Sequence, residues 1–233
     1  MWKYKQNTIY IVLKRLYHII LLPIRKISGT IYEYNVCKWM VKYPFAGPIF
    51  EHNLNENSIV FDVWWHIWLF SDWIIDKFDP YIYIFEPVNE YYNLLTTKYK
   101  NNPKVKIFEF GFSDINKSID IYRSWDLGEW TSIYKKSDNV ESIKLVDIGE
   151  FLEEQNITKI DLFSINIEGW EYEVIPRLIE TNKISLINIV QIQFHDFVEW
   201  ANNKRQKIML DLRKTHSSII EYEFVRDILT KIN

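Results

Sequence analysis

The stretch SIVFDVWWHIWLFSDWI, Ser58 to Ile74, decides how the whole chain is read. Its first half is an apolar run closed by Asp62, which reads as a buried strand opening a β-α-β crossover. The turn after such an acid is where nucleotide-type cofactors are held. It needs glycine, because the backbone approaches the ligand closely and takes φ > 0. This chain instead places Trp64, Trp65 and Trp68 there, with His66 among them.

From residue 58 onward, short apolar runs alternate with helical stretches. Strands are expected over 58–63, 81–87, 104–114, 159–169, 186–197 and 218–224, with two more at "KSIDIYRS" and "ESIKLVDI" beside a polar loop, Trp125 to Asn139. Helices are expected near 68–78, 89–100, 147–155, 170–181 and 201–214. Strands separated by helices imply parallel β-α-β units in an open twisted sheet covered on both faces, an α/β fold. Ligands in such sheets sit beyond the carboxyl ends of the strands, near the reversal of strand order. Asp62, Glu86, Asp114, Asn166, Glu168 and His195 all fall at or just past such ends.

Bulk properties narrow the function classes. The chain has 233 residues, 48% of them hydrophobic, enough for one sizeable α/β domain. Residues 1–42 hold eight Lys/Arg against the single acid Glu33, which leaves 20 bases against 30 acids in the remainder. The acidic body argues against a nucleic-acid partner. The basic end, "TIYIVLKRLYHIILLPI", reads as an amphipathic helix ended by Pro23 that either packs on its own domain or makes peripheral contact with a membrane. It is too interrupted by charge to span one. A division into a helical extension, 1–50, and a main domain, 51–233, follows. The lone Cys37 rules out an internal disulfide and fits a reducing, cytoplasmic setting. No metal-ligand spacing is recognisable, and no metal is expected.

Glu86 stands 24 residues after Asp62, placed to accept hydrogen bonds from a ribose diol, and Pro87 stops its strand. His195 is the candidate general base, since an imidazole titrates near neutrality. Glu168 either orients it, binds a hydroxyl of the acceptor or is itself the base. The plain structural alternative is a satisfied histidine and an acid capping the next helix.

The segments "VFDV", "YIFEP", "GFSD", "TSIY", "IKLVDI", "KIDLFSINIEG" followed by "EYEVI", and "QIQFHDF" stand in the order found in FkbM-type methyltransferases, which this chain resembles over about residues 55–225. The resemblance implies a Rossmann-like, seven-strand fold and S-adenosylmethionine as cofactor. It implies that Asp62, Val63 and the turn Trp64, Trp65, His66 and Trp68 hold the methionine end, that Glu86 and Pro87 meet the ribose, and that Ser113 and Asp114 lie near the adenine. It further implies methyl transfer to a hydroxyl of a sugar, glycan, or glycosylated lipid or polyketide. Family members commonly carry Lys and an acid in the "INIEG" segment, where this chain has Ser164 and Asn166.

The family turn reads Asp-Val-Gly, two variable residues, a hydrophobic residue and Gly, so Trp64 and Trp68 align with glycines. Trp170 likewise stands where the related pattern has Gly. The chain holds 6 Gly and 10 Trp, against roughly 16 Gly at average usage. Its richness in Ile, Asn, Lys and Tyr suggests an AT-rich gene, in which the Trp codon should be scarce. Trp64, Trp65, Trp68, Trp125, Trp130 and Trp170 are therefore expected to include UGA codons that the source reads as Gly. The alternative is a degenerate, non-catalytic domain that binds a glycan or a partner.

Overall fold

The structure, a computed structural model, describes residues 8–43, 47–49, 51–64, 69–123, 131–132 and 140–232. The helices are α1 (Thr8–Ser28), α2 (Ile31–Lys42), α3 (Leu69–Phe78), α4 (Asn89–Tyr99), α5 (Ile148–Glu154), α6 (Glu171–Glu180) and α7 (Ala201–Leu212). The main sheet takes β1 (Ile59–Trp64), β2 (Tyr81–Phe85), β3 (Val105–Phe108), β8 (Ile160–Asn166), β9 (Ile187–Ile192), β10 (His216–Tyr222) and β11 (Arg226–Lys231). Its order is β10-β11-β9-β8-β1-β2-β3, parallel from β9 through β3, with β11 antiparallel to both β9 and β10. The chain runs outward from β1 to β3, then restarts beside β1 at β8, so strand order reverses between β1 and β8. That is the place where open α/β sheets bind ligands.

The pleat sorts side chains to two cores. Phe61, Val63, Phe85, Phe163, Ile165, Val190 and Ile192 face one side, where Leu152 of α5, Leu178 of α6 and Leu212 of α7 cover them. Val60, Ile82, Ile84, Leu162, Ile189 and Ile228 face the other, under Phe70 and Ile74 of α3 and Leu95 of α4. Trp39 of α2, Ile49 and Leu54 close this second core. Burying a branched or aromatic side chain stabilises by about 1.5–3 kcal/mol, so each face is held by many such contributions.

Three regions depart from the sequence reading. Residues 104–114 form two strands in different sheets, because the chain leaves β3 and Gly111–Ser113 starts β4 of a second sheet. That sheet has the order β4-β7-β5-β6, with β5 (Lys117–Arg123), β6 (Thr131–Ser132) and β7 (Val140–Asp147). Phenylalanines join the two sheets: Phe85 lies 4.4 Å from Phe112, and Phe112 lies 5.2 Å from Phe151. The expected last strand is a hairpin, β10 and β11. The second arm carries no apolar signature at its start, because Arg226 and Asp227 are charged although buried. Finally, Pro23 does not end α1, which continues to Ser28. Proline fixes a φ that the helix already uses, so the helix goes on at the cost of one backbone hydrogen bond.

Candidate active site

Asp62 is buried two residues before the end of β1, which continues to Trp64, on the α3 side of the sheet. The Ser71 hydroxyl of α3 donates to Oδ2, while Oδ1 finds no hydrogen-bond partner among the described residues. Burial pushes its pKa up to about 7, although the Ser71 hydrogen bond pulls the other way. A buried carboxylate with an unused acceptor is costly unless a ligand completes it. Across the sheet, Asp62 stands in register with Ser164 of β8, which stands in register with Gln191 of β9. Gln191 donates to the Ser164 hydroxyl at 3.0 Å and meets His52 Nε2 at 3.2 Å. Ser164, where the family pattern has Lys, thus belongs to a neutral polar row.

Glu86, immediately after β2, is also buried, and its Oε1 accepts the Val88 backbone N–H at 2.8 Å. Pro87 is buried beside it. Asn166 ends β8 opposite Trp64, and its Oδ1 has no partner among the described residues. Val63 points into the opposite core. The structure describes Trp64 only as the last backbone position of β1; Trp65, His66 and Trp68 lie outside the described residues, as do Trp125 and Trp130. Trp170 is described: at φ −74° and ψ −13° its backbone suits any residue. Its ring carries the Lys117 ammonium 4.5 Å from its centroid, so position 170 has no conformational need for glycine.

His195 lies just past β9 and is 8% exposed. Its backbone N–H and its Nδ1 both contact Glu171 Oε1, at 2.7 and 2.9 Å. Glu171 is fully buried at the start of α6, and its Oε2 accepts the Gly169 N–H at 2.9 Å. With Nδ1–H donated to Glu171, Nε2 is left as the acceptor, 3.6 Å from Glu168 Oε1. Burial alone would lower the His195 pKa, but the Glu171 charge and hydrogen bond outweigh it, helped by Glu168, and the net direction is upward. Burial raises the Glu168 pKa; His195 opposes this and Glu171 adds to it. Glu168 Oε2 has no hydrogen-bond partner among the described residues.

Glu171, and not Glu168, is therefore the residue that orients His195. In sequence it looks like an ordinary acid in the first turn of a helix; the signal that was there is its spacing after the tight "EG" turn. That turn is real: Glu168 has φ 55° and Gly169 φ 107°, both left-handed. Ser113 and Asp114 join a network with α6. The Ser113 hydroxyl lies 3.0 Å from Asp114 Oδ1 and 2.6 Å from Glu173 Oε2, which also receives the Lys117 ammonium at 2.7 Å. Among the described residues, no group of three or more His, Cys, Asp or Glu is arranged to hold a metal ion.

The site thus has buried acids near the carboxyl ends of two adjacent strands, flanking a switch point, and a histidine held by a carboxylate just past β9 at the same edge of the sheet. A family model, the methyltransferase FkbM domain, matches residues 70–231. The chain belongs to the FkbM methyltransferase family. The match begins after β1, so Asp62 and its turn stand upstream of it. Among solved structures, the chain is similar to the methyltransferase FkbM of Methylobacillus flagellatus, with 10% identity and a TM-score of 0.53 over 86% of this chain. It spans 53% of that protein's length. It is also similar to a putative rRNA methylase from Clostridium thermocellum, at 9% identity and TM-score 0.47 over 80% of this chain and 94% of that one. Fibrillarin from Methanococcus jannaschii follows, at 10% identity and TM-score 0.47 over 76% of this chain and 67% of that one. No curated protein matches the sequence.

Proposed function

We propose that this FkbM-family methyltransferase uses S-adenosylmethionine to methylate a hydroxyl of a sugar, glycan, or glycosylated lipid or polyketide. The observation that carries the reading is that Asp62 Oδ1 and Asn166 Oδ1, near the carboxyl ends of the adjacent strands β1 and β8, and Glu168 Oε2, in the residue that approaches His195, are acceptors without a hydrogen-bond partner among the described residues. Their chemistry fits the cofactor: a buried carboxylate at Asp62 suits its ammonium, and Glu86 on the next strand suits its ribose hydroxyls. The cofactor supplies a methyl group activated on a sulfonium.

The chain's own residues then have three tasks: to hold the acceptor, to keep water out and to take one proton. His195 Nε2 takes the hydroxyl proton, and Glu171 stabilises the imidazolium through Nδ1–H. Glu168, 3.6 Å from that nitrogen, holds a second hydroxyl of the acceptor or the charged ring. A neutral hydroxyl requires such a base, whereas a preformed oxyanion would not, and this favours an alcohol-type acceptor.

The second reading, a domain of the same fold that only binds, is favoured by the tryptophans standing where the family turn has glycine. Calorimetry with S-adenosylhomocysteine on the chain as written, and on its Trp64→Gly/Trp65→Gly/Trp68→Gly variant, separates the two. Binding by either form supports the cofactor assignment, and binding by the glycine form alone makes the written chain inactive. If neither binds, the assignment is wrong. The coding DNA settles recoding separately, since UGG at positions 64 and 68 sinks it.

A further inference from the structure

We propose that α1 is a docking helix that lies in the plane of an anionic phospholipid bilayer, with its apolar stripe in the lipid. At about 100° per residue, Leu13, Leu16, Tyr17, Ile20, Ile24 and Ile27 fall on one arc of about 100°. In an ordinary surface helix that stripe is buried. Here it points to solvent: Leu13 is 59% exposed, Tyr17 60%, Ile20 68% and Ile27 88%. The side turned inward instead carries Lys14, His18, Leu21, Leu22 and Arg25, all half-buried. Arg25 is fixed there by Glu33 of α2, at 2.7 Å. The helix is thus mounted on the protein by a mixed side of Lys14, His18, Leu21, Leu22 and Arg25, and offers its most continuous apolar stripe outward.

Charge identifies the occupant. Over Thr8–Ser28 the helix has Lys14, Arg15, Arg25 and Lys26 and no acid. The cations lie on the side opposite the stripe, the arrangement of a helix that buries one face at the headgroup boundary and attracts anionic lipid with the other. A second copy of this chain would bring like-charged helices together. Among the described residues no helix is long and apolar enough to cross a membrane, so α1 lies along the surface.

The stripe continues past the Gly29 turn into exposed Ile31 and Tyr32. Tyr32 stands in the electrostatic field of Asp196 and Glu168, and burial, then these two charges, raise its pKa. The other side of α2 is anchored to the body. Asn35 Nδ2 donates to the Glu223 carbonyl at 3.1 Å, and Trp39 packs edge-on against Tyr222 at 5.4 Å.

The test is co-sedimentation of the full chain with vesicles of phosphatidylcholine, alone or mixed with phosphatidylglycerol. Binding to the mixed vesicles should exceed binding to the neutral ones by about tenfold or more and weaken with salt. Leu16→Ser/Ile20→Ser/Ile24→Ser should lose about tenfold or more, and Arg15→Gln/Lys26→Gln should lose several-fold on anionic vesicles only. Both variants change exposed side chains, so unchanged thermal melting shows that the fold is kept. Equal binding to both vesicles overturns the anionic assignment, and no binding to either overturns the proposal. It also fails if the serine variant binds as the parent does, or if the stripe proves to hold a concentration-dependent dimer in the absence of lipid.

Discussion

Asp62 gives up stability for function at the scale of a single residue. Its folded pKa of about 7 stands above the unfolded value of 3.8, so between these the native state holds more protons. Stability contributed by the neutral form is therefore present at low pH and lost as pH rises towards 7, by at most about 4 kcal/mol. Asp62→Asn should match the parent at about pH 3, where both states of Asp62 are protonated, and exceed it increasingly up to about pH 7 in denaturant melts, while S-adenosylhomocysteine binding falls. Parallel pH dependence in the two proteins would show that Asp62 is already compensated. His195 makes the opposite kind of test. Burial would lower its pKa, but Glu171 holds it above the ordinary imidazole value, so a rate that needs the neutral ring rises with pH through a range above that of a free imidazole. Glu171→Gln removes the charge and keeps one oxygen for the two His195 N–H groups, while its amide nitrogen replaces the oxygen that accepts the Gly169 N–H. The acid limb of the pH–rate profile should shift to lower pH, with the plateau rate reduced as the imidazolium loses its partner. An unmoved limb would remove His195 from the base role.

The decisive element is the link from β8 to α6. The strand runs straight into Glu168 and Gly169, both left-handed, before Trp170 starts the helix. A Cβ added at Gly169 meets nothing within 4 Å, so space is not what glycine provides; it provides φ 107°, which an L side chain adopts only with strain. Gly169→Ala should cost about 1–2 kcal/mol by chemical denaturation. Because relief of that strain turns Glu168 away from His195, the loss in kcat should exceed what the stability change explains. At this scale the sequence was legible where information is local. β1, β2, β8 and β9 are apolar runs with an acid, an amide or a histidine near their carboxyl ends, and the switch point follows from their order. β11 was not legible. Its buried Asp227 is satisfied by Arg205 of α7, at 2.7 and 3.0 Å, and Arg226 reaches Gln193 at 2.9 Å. Both partners are distant in sequence, and nothing near Arg226 announces them. The same holds for Glu171, whose role appears only when β9 brings His195 beside α6.

For the whole molecule, the question is where the body of the protein begins. A boundary at residue 50 follows from charge and hydropathy, but packing divides 1–50 unequally. Of the described side chains of α1, none is fully buried, whereas α2 contributes Cys37 and Trp39, and Ile49 follows. The Thr30–Glu33 capping box gives α2 its own start: Glu33 N–H donates to the Thr30 hydroxyl at 3.2 Å, and Thr30 N–H to Glu33 Oε2 at 2.9 Å. Such a cap contributes about 1 kcal/mol and lets α2 stand without α1. Removal of residues 1–28 should therefore change unfolding free energy by less than about 1 kcal/mol and abolish vesicle binding. Removal of residues 1–50 strips Trp39 and Ile49 from the core that also holds Val60, Ile82 and Ile228. Loss of a buried Trp alone costs about 3–5 kcal/mol, a large part of a typical domain's stability. The shorter protein should unfold at much lower denaturant or fail to fold. If both truncations melt alike, α2 is a passive extension; if the first already unfolds the protein, α1 belongs to the body and its exposed stripe is not free to meet a membrane.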